Sequence, residues 1–226
     1  MVVGTGLIAK AFDEYQLNES IVIFASGVSN SKEISKEAFL RERNLLLSYL
    51  ENYGSSKYFV YFSTCSIYDT YIPHSNYTKH KINMEQLIKQ RAKQYYIFRL
   101  PQVLGVNNQT QLVGFLYNAI KSKKYFDLYD IERNIIDIDD VRLIVNNVIK
   151  SNKYKNIVMN LANTSNIKVL DLVKIIEKMC HKKANYHIVK KEGSFYIDVS
   201  QMKSLICNSE IFTKNYIESR LKKYYE

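Results

Sequence analysis

Tyr77 and Lys81 stand four residues apart in the run Tyr77-Thr78-Lys79-His80-Lys81. On a helix that spacing puts both side chains on one face. An ammonium beside a phenol favours the phenolate form. The phenol can then exchange a proton with a substrate hydroxyl or carbonyl while a nicotinamide exchanges hydride. The spacing carries little weight alone, because 19 tyrosines produce four such pairs, at Tyr53, Tyr77, Tyr117 and Tyr186. Tyr53 spans a Gly-Ser-Ser turn, Tyr117 sits late in a helical stretch and Tyr186 lies far toward the C-terminus. Only Tyr77 opens a helix that follows a strand ending in Ser63-Thr64-Cys65-Ser66-Ile67-Tyr68, with hydroxyls to hold a substrate oxygen.

A second chemical signal opens the chain. Met1-Val2-Val3-Gly4-Thr5-Gly6-Leu7-Ile8-Ala9 reads as strand, glycine turn and helix. Gly4 and Gly6 permit a tight turn and close backbone approach to a pyrophosphate. Ala9 lets helix and strand lie close, and free N–H groups at the helix start attract the anion. Gly4, Thr5, Gly6, Leu7 and Ile8 are therefore expected to touch a dinucleotide, NAD or NADP. In such folds the carboxylate that grips the adenosine ribose lies about 20 residues further on. That count lands near Ser26, where no carboxylate is found. Either this strand directly follows the first, with Ser26 or Lys32 near a 2′-phosphate, or a strand–helix–strand section is missing. The choice between NAD and NADP stays open.

Elements must position these residues, and short apolar runs alternate with longer helical stretches. Strands are expected over 1–3, 21–25, 58–62 and 95–100, the last stopped by Pro101. Helices are expected over 7–17, over 37–53 with Phe39, Leu46, Leu47 and Leu50 at helical spacing, and over 77–93. Further helices over 112–121, 141–150, 169–179 and 217–225, with a strand over 156–161, complete the reading. Asp137, Asp139 and Asp140 mark a helix start. The alternation predicts an α/β protein: a Rossmann-like parallel sheet with helices on both faces and a small C-terminal substrate lobe. Residues 1–100 are expected to form the dinucleotide-binding core with the catalytic residues, and 101–226 the remaining strands and the lobe.

Composition narrows the class. The 226 residues, 46% of them hydrophobic, suffice for one sizeable core or a core with a small second lobe. The net charge of +10 invites an anionic partner. Yet 25 of the 32 basic residues are lysine, scattered along the chain, with Lys121, Lys123 and Lys124 the densest group. No arginine–aromatic stripe appears, which weighs against nucleic acid. Cys65, Cys180 and Cys207 form neither a disulfide framework nor a zinc signature, and the four histidines show no metal spacing, so no metal is expected. His74 and His80 flank Tyr77 and would line its pocket. No apolar run approaches the roughly 18–20 residues of a membrane span, and the first residues read as no secretory signal. A cytoplasmic protein with no membrane partner is expected.

Taken together, these motifs resemble the extended short-chain dehydrogenase/reductases, in a shortened form of their sugar-nucleotide branch of epimerases, dehydratases and 4-ketoreductases. VVGTGLIA is similar to the family's GxxGxxG turn, with Val3 at the first glycine and Ala9 at the third. IVIFASG is similar to the strand whose end lines the cofactor, implying contacts from Ala25, Ser26 and Gly27. YFSTCSIYD looks like the strand ending in S-[ST]-x-x-[VI]-Y, which makes Thr64 the catalytic hydroxyl and puts Ser66 beside the substrate. YTKHK looks like YxxxK, making Tyr77 the acid/base at the substrate and Lys81 its modulator and ribose contact. IFRLPQVLG is similar to the next strand and loop, with Leu100 at the cofactor, Arg99 at the substrate and Gly105 beyond. RNIIDIDDV looks like the segment that brings Arg133 to the substrate phosphates. NLANTSNIKVLDLVKII looks like the later strand and helix. Asn44 would be a fourth, structural member of the catalytic set.

The resemblance implies an NAD(P)-dependent oxidoreductase acting on a nucleotide-linked sugar, in a family where dimers through two helices are common. A dehydratase would want an acid pair directly after Thr64, where Cys65 and Ser66 stand. A 3,5-epimerase–reductase would want cysteine at Ser66; Cys65 is one place off and reads as a small strand-end residue. A 4-ketoreductase for a keto-deoxysugar, in surface polysaccharide or deoxysugar biosynthesis, fits best, with a 4-epimerase as the alternative. A non-catalytic dinucleotide sensor is the alternative of another class, and the intact Thr64, Tyr77 and Lys81 count against it. The sugar, the nucleotide and the product stereochemistry stay open.

Overall fold

The computed structural model describes residues 1–72, 75–106, 111–204 and 211–226. His74 and Cys207 lie outside the described residues. In chain order the elements are β1 (Val2–Val3), α1 (Leu7–Ala11), β2 (Ile21–Phe24), α2 (Lys36–Tyr53), β3 (Tyr58–Thr64), α3 (Asn76–Arg91), β4 (Gln94–Leu100) and β5 (Gln102–Leu104). Then follow α4 (Leu112–Lys121), β6 (Tyr125–Asp130), β7 (Glu132–Arg133), β8 (Ile135–Asp137), α5 (Ile138–Ser151), β9 (Ile157–Asn160), β10 (Ile167–Lys168), α6 (Val169–Cys180), β11 (Asn185–Lys190), α7 (Ser200–Lys203) and α8 (Tyr216–Tyr225).

The central sheet is parallel throughout, in the order β1-β2-β3-β4-β9. Register places Val3, Phe24, Tyr61, Ile97 and Val158 in one row across it. Successive side chains on a strand point to opposite faces, so this row and its neighbours meet Leu46 and Leu50 of α2 and Met84 and Ile88 of α3. The offset row of Val2, Ile23, Val60, Tyr96 and Ile157 faces the other way, toward Val141, Ile144, Val145 and Val148 of α5. Helices on both faces explain why the strands read as unbroken apolar runs.

A second apolar cluster forms the lobe. Leu116 and Ile120 of α4, Phe126 and Leu128 of β6, Leu172 and Ile176 of α6 and Leu221 of α8 meet there. The later half of the chain also returns to the main sheet through α5 and β9. Among the described residues no helix is long and apolar enough to cross a membrane.

Two expectations need correction, and one open point is decided. The helix over 7–17 stops at Ala11, and a 3-10 turn follows over Asp13–Tyr15. Phe12 is wholly buried with its ring 5.3 Å from that of Phe62, while Leu17 is 93% exposed, so packing of Phe12 ends the helix and leaves Leu17 outside. Asn44 is exposed on α2 and cannot join the catalytic set. Last, β2 pairs directly with β1, and β1 is the edge of the sheet. In the doubly wound order 3-2-1-4-5-6 the first strand has neighbours on both sides. Among the described residues no strand lies beyond β1, and the strand–helix–strand section of that order is not found between β1 and β2.

Candidate active site

The carboxyl ends of the parallel strands gather the sequence candidates along one edge. Gly4 follows β1, residues 25–27 follow β2, Thr64 ends β3 and Leu100 ends β4. Ligands of open α/β sheets bind outside these ends. Gly4 has φ +126°, and a Cβ there would lie 2.5 Å from the Ala25 carbonyl oxygen, so only glycine allows β1 and β2 to leave the sheet this close together. Space above Gly6 is open, and the start of α1 carries neither a side-chain cap nor an acidic residue. These features fit the diphosphate of a dinucleotide. The bare edge of β1 offers the adenosine end no strand.

Tyr77 enters through the first turn of α3. Ser75 caps that helix, accepting a hydrogen bond from the Thr78 amide at 3.1 Å, an arrangement worth about 1 kcal/mol. The Lys81 ammonium lies 5.9 Å from the centre of the Tyr77 ring. It is almost fully buried and donates to Glu42 Oε1 at 2.9 Å and to the Tyr61 hydroxyl at 3.2 Å. Glu42, on α2 and wholly buried, also accepts from the Val28 amide at 2.7 Å and the Tyr61 hydroxyl at 2.7 Å, and lies 2.9 Å from His80 Nε2. Burial alone would raise the Glu42 carboxyl, but the hydrogen bond with His80, the charge of Lys81 and the bonds from Tyr61 and Val28 hold it down at about 2. Burial and the neighbouring Glu42 push the Tyr61 phenol well up, so it stays a neutral donor. Gly27 completes this knot: a Cβ there would lie 2.5 Å from Lys81 Nζ and 2.8 Å from Glu42 Oε1.

The hydroxyls after β3 form a short chain. Thr64 Oγ1 accepts from the Ser66 amide and donates to Ser66 Oγ, both at 3.0 Å. Thr64 is buried and Ser66 half-buried, so the outer hydroxyl of the pair is that of Ser66. Cys65 is wholly buried, and burial pushes its thiol up, which removes it as a nucleophile.

Both candidate substrate arginines already hold carboxylates. Arg99 grips Glu85 through Nε at 2.9 Å and Nη2 at 2.6 Å, and donates from Nη1 to the Tyr68 hydroxyl at 2.8 Å. Burial would lower Arg99, but its bonds and charge pairing with Glu85 raise it instead. Arg133 reaches Asp69 through one contact of 3.3 Å and lies against the rings of Tyr71 and Phe195. Burial lowers its guanidinium, and Asp69 offsets this only in part. Arg99 thus makes three bonds, two of them to one carboxylate, whereas Arg133 meets Asp69 at 3.3 Å and donates from Nη1 to the Glu132 carbonyl at 2.9 Å. Asp137 and Asp140 are engaged by α8, through Lys223, Arg220 and Tyr216, and Asp139 by Lys223, so this acidic cluster anchors the last helix. Among the described residues no group of histidine, cysteine and acidic side chains forms a metal site.

Glu42, Tyr61, Glu85 and Asp69 were not singled out in the sequence. Glu42 had a signal: it stands at i, i+4, i+8 with Leu46 and Leu50, and a carboxylate in the apolar register of a helix has to find a buried partner. A hollow of about 310 Å³ is lined by Arg43, His80, Asn83 and Met84 among others on α2 and α3. It shares only His80 with the knot around Lys81.

No protein-family model and no curated protein sequence matches this chain. Solved structures do. A UDP-glucuronic acid 4-epimerase from Bacillus cereus, in complex with UDP-glucuronic acid and NAD, aligns with TM-score 0.74 at 17% identity, covering 95% of this chain and 76% of that one. The Bordetella bronchiseptica enzyme WbmG, in complex with NAD and UDP, aligns with TM-score 0.72 at 15% identity over 96% and 77%. RMD from Pseudomonas aeruginosa, complexed with NADPH, aligns with TM-score 0.71 at 16% identity over 90% and 91%. The chain has the Rossmann-like α/β fold of these structures.

Proposed function

We propose that this chain is an NAD(P)-dependent oxidoreductase of the short-chain dehydrogenase/reductase type, and that it reduces a nucleotide-linked 4-keto-deoxysugar in the cytoplasm. Residues 4–8 and 25–27, with Lys81 and Leu100, line the cofactor. Bound there, the nicotinamide supplies the hydride. Ser66, backed by Thr64, holds the sugar carbonyl oxygen, and the Tyr77 hydroxyl gives it a proton. Arg133, which meets Asp69 at 3.3 Å and the Glu132 carbonyl at 2.9 Å, exchanges the Asp69 contact for the diphosphate of the substrate, a bidentate match for a guanidinium. Arg99 stays on Glu85 and sets the position of Tyr68 at the rim.

Cys65 and Ser66 after Thr64 leave no acid pair for a dehydratase, so the reading that needs only Tyr77, Lys81 and the cofactor is favoured, and a 4-epimerase, which uses the same residues twice, is the second reading. The test follows NADH and NADPH absorbance with a panel of nucleotide-linked 4-keto-6-deoxysugars. Stoichiometric consumption supports the reductase. Interconversion of the two 4-hydroxy epimers of a nucleotide-linked sugar without net change in cofactor identifies the 4-epimerase, and binding of cofactor without turnover of any sugar identifies a sensor. Sedimentation of the intact chain tests the homodimer that belongs to the same reading.

A further inference from the structure

We propose that Glu42 is a positioning residue that acts through Lys81, with His80 as its outer support. This rests on the assignment of Tyr77 and Lys81 as the reacting pair. An ammonium has three N–H donors. In Lys81 two are spent on Glu42 Oε1 and the Tyr61 hydroxyl, which leaves one for the side where the Tyr77 ring lies. The direction of that last donor is therefore set by the other two. Tyr61 is itself fixed by donating to the same carboxylate oxygen at 2.7 Å.

The other oxygen of Glu42 reaches the opposite wall of the site. It accepts from the Val28 amide at 2.7 Å, directly beyond the loop 25–27 expected at the cofactor, and it meets His80 Nε2 at 2.9 Å. One carboxylate thus ties the cofactor loop after β2 to the lysine on α3. His80 is held in turn by its ring lying 4.7 Å from that of Phe39 on α2. The charged and titratable groups around this knot include Lys81, Tyr77 and Glu85 on α3, Tyr61 on β3 and Arg43 on α2, which shares the hollow with His80. Glu42→Gln keeps the shape but offers one accepting oxygen where the carboxylate offers two, so it places an amide N–H against at least one existing donor.

A double-mutant cycle separates positioning from bulk structure. Turnover is measured with NADPH and whichever nucleotide-linked 4-keto-6-deoxysugar the wild type reduces, in wild type, Glu42→Gln, Lys81→Met and the double variant. The expected result is a kcat at least about tenfold lower in Glu42→Gln, with the sugar KM changed by less than about threefold. In the Lys81→Met background, Glu42→Gln changes kcat by less than about twofold, because its effect runs through the missing ammonium. Equal losses in both backgrounds overturn the proposal. If Glu42→Gln does not fold, His80→Phe replaces it, keeping the ring against Phe39 while removing the nitrogen from Glu42. A ¹H–¹⁵N signal of the Lys81 ammonium, slowed in exchange by its buried bonds, gives a readout independent of turnover. Its presence in wild type and loss in His80→Phe support the proposal, and its absence in wild type overturns it. A wild type that turns over no sugar while keeping that signal defeats the assigned reaction and leaves the clamp on Lys81 standing.

Discussion

On the proposed function Tyr77 and Glu42 divide the chemistry at the residue scale. Tyr77 is there assigned as the proton donor, and a positioned general acid contributes about 10²–10⁴-fold to rate. Tyr77→Phe is expected to lower kcat by that order while the dissociation constant of NADPH, read by fluorescence, stays within about threefold. Unchanged kcat would remove Tyr77 from the mechanism. Glu42 gives a pH signature in stability. Its folded value of about 2 lies below the ordinary 4.5 of an unfolded glutamate. The folded state therefore binds fewer protons, and the contribution is complete above about pH 4.5 and lost as pH falls through about 2. It amounts to something on the order of 3 kcal/mol. Urea midpoints compared at pH 6 and pH 2 should fall further in wild type than in the Glu42→Gln/Lys81→Met variant, which has neither charge. Glu42 escaped notice in the sequence because its importance lies in partners such as Lys81, 39 positions away. Its place on the buried line with Leu46 and Leu50 was the only local sign.

At the element scale the glycine turn and the cap of α3 decide where groups stand. Gly4 combines a left-handed φ with a backbone oxygen 2.5 Å from where its Cβ would be. Gly4→Ala is expected to cost at least about 1–3 kcal/mol, from backbone strain and the forced parting of β1 from β2. Thermal unfolding measures it, and an unchanged midpoint would mean that the turn is not held as tightly as its geometry requires. α3 was legible: a helix over 77–93 is expected and Asn76–Arg91 is found, with Tyr77 and Lys81 on one face as four-residue spacing dictates, although its Ser75 cap was not read. α1 was read too long, because the helical pattern of 7–17 gives no hint that Phe12 turns into the core beside Phe62. The six-residue strands β6 and β11 were not read, and neither were the short strands β5, β7, β8 and β10. Runs of two or three residues carry no period, and their pairing partners are distant in sequence.

The whole molecule is a parallel sheet with β1 at its edge and a separate apolar lobe. That edge bears on the cofactor. Among the described residues no strand lies beyond β1 to carry the carboxylate that in doubly wound folds selects a free ribose 2′-hydroxyl and separates NAD from NADP. Dissociation constants for NADH and NADPH are expected to agree within about fivefold, a difference of about 1 kcal/mol, when measured by fluorescence titration at 0.15 M salt. A preference above about a hundredfold would show that residues elsewhere read the 2′ position.

The sequence by itself determined the α/β alternation, the glycine turn and the helical face shared by Tyr77 and Lys81. Each depends on neighbours within a few residues, where backbone periodicity and steric limits act. Only the tertiary structure decided that Lys81 answers to Glu42, that Ser66 rather than Thr64 presents the outer hydroxyl, that Arg133 is held by Asp69, and that β1 ends the sheet. Those outcomes depend on which distant segments are pressed together when apolar faces close. Buried charges then have to take partners among the groups that the packing brings within reach.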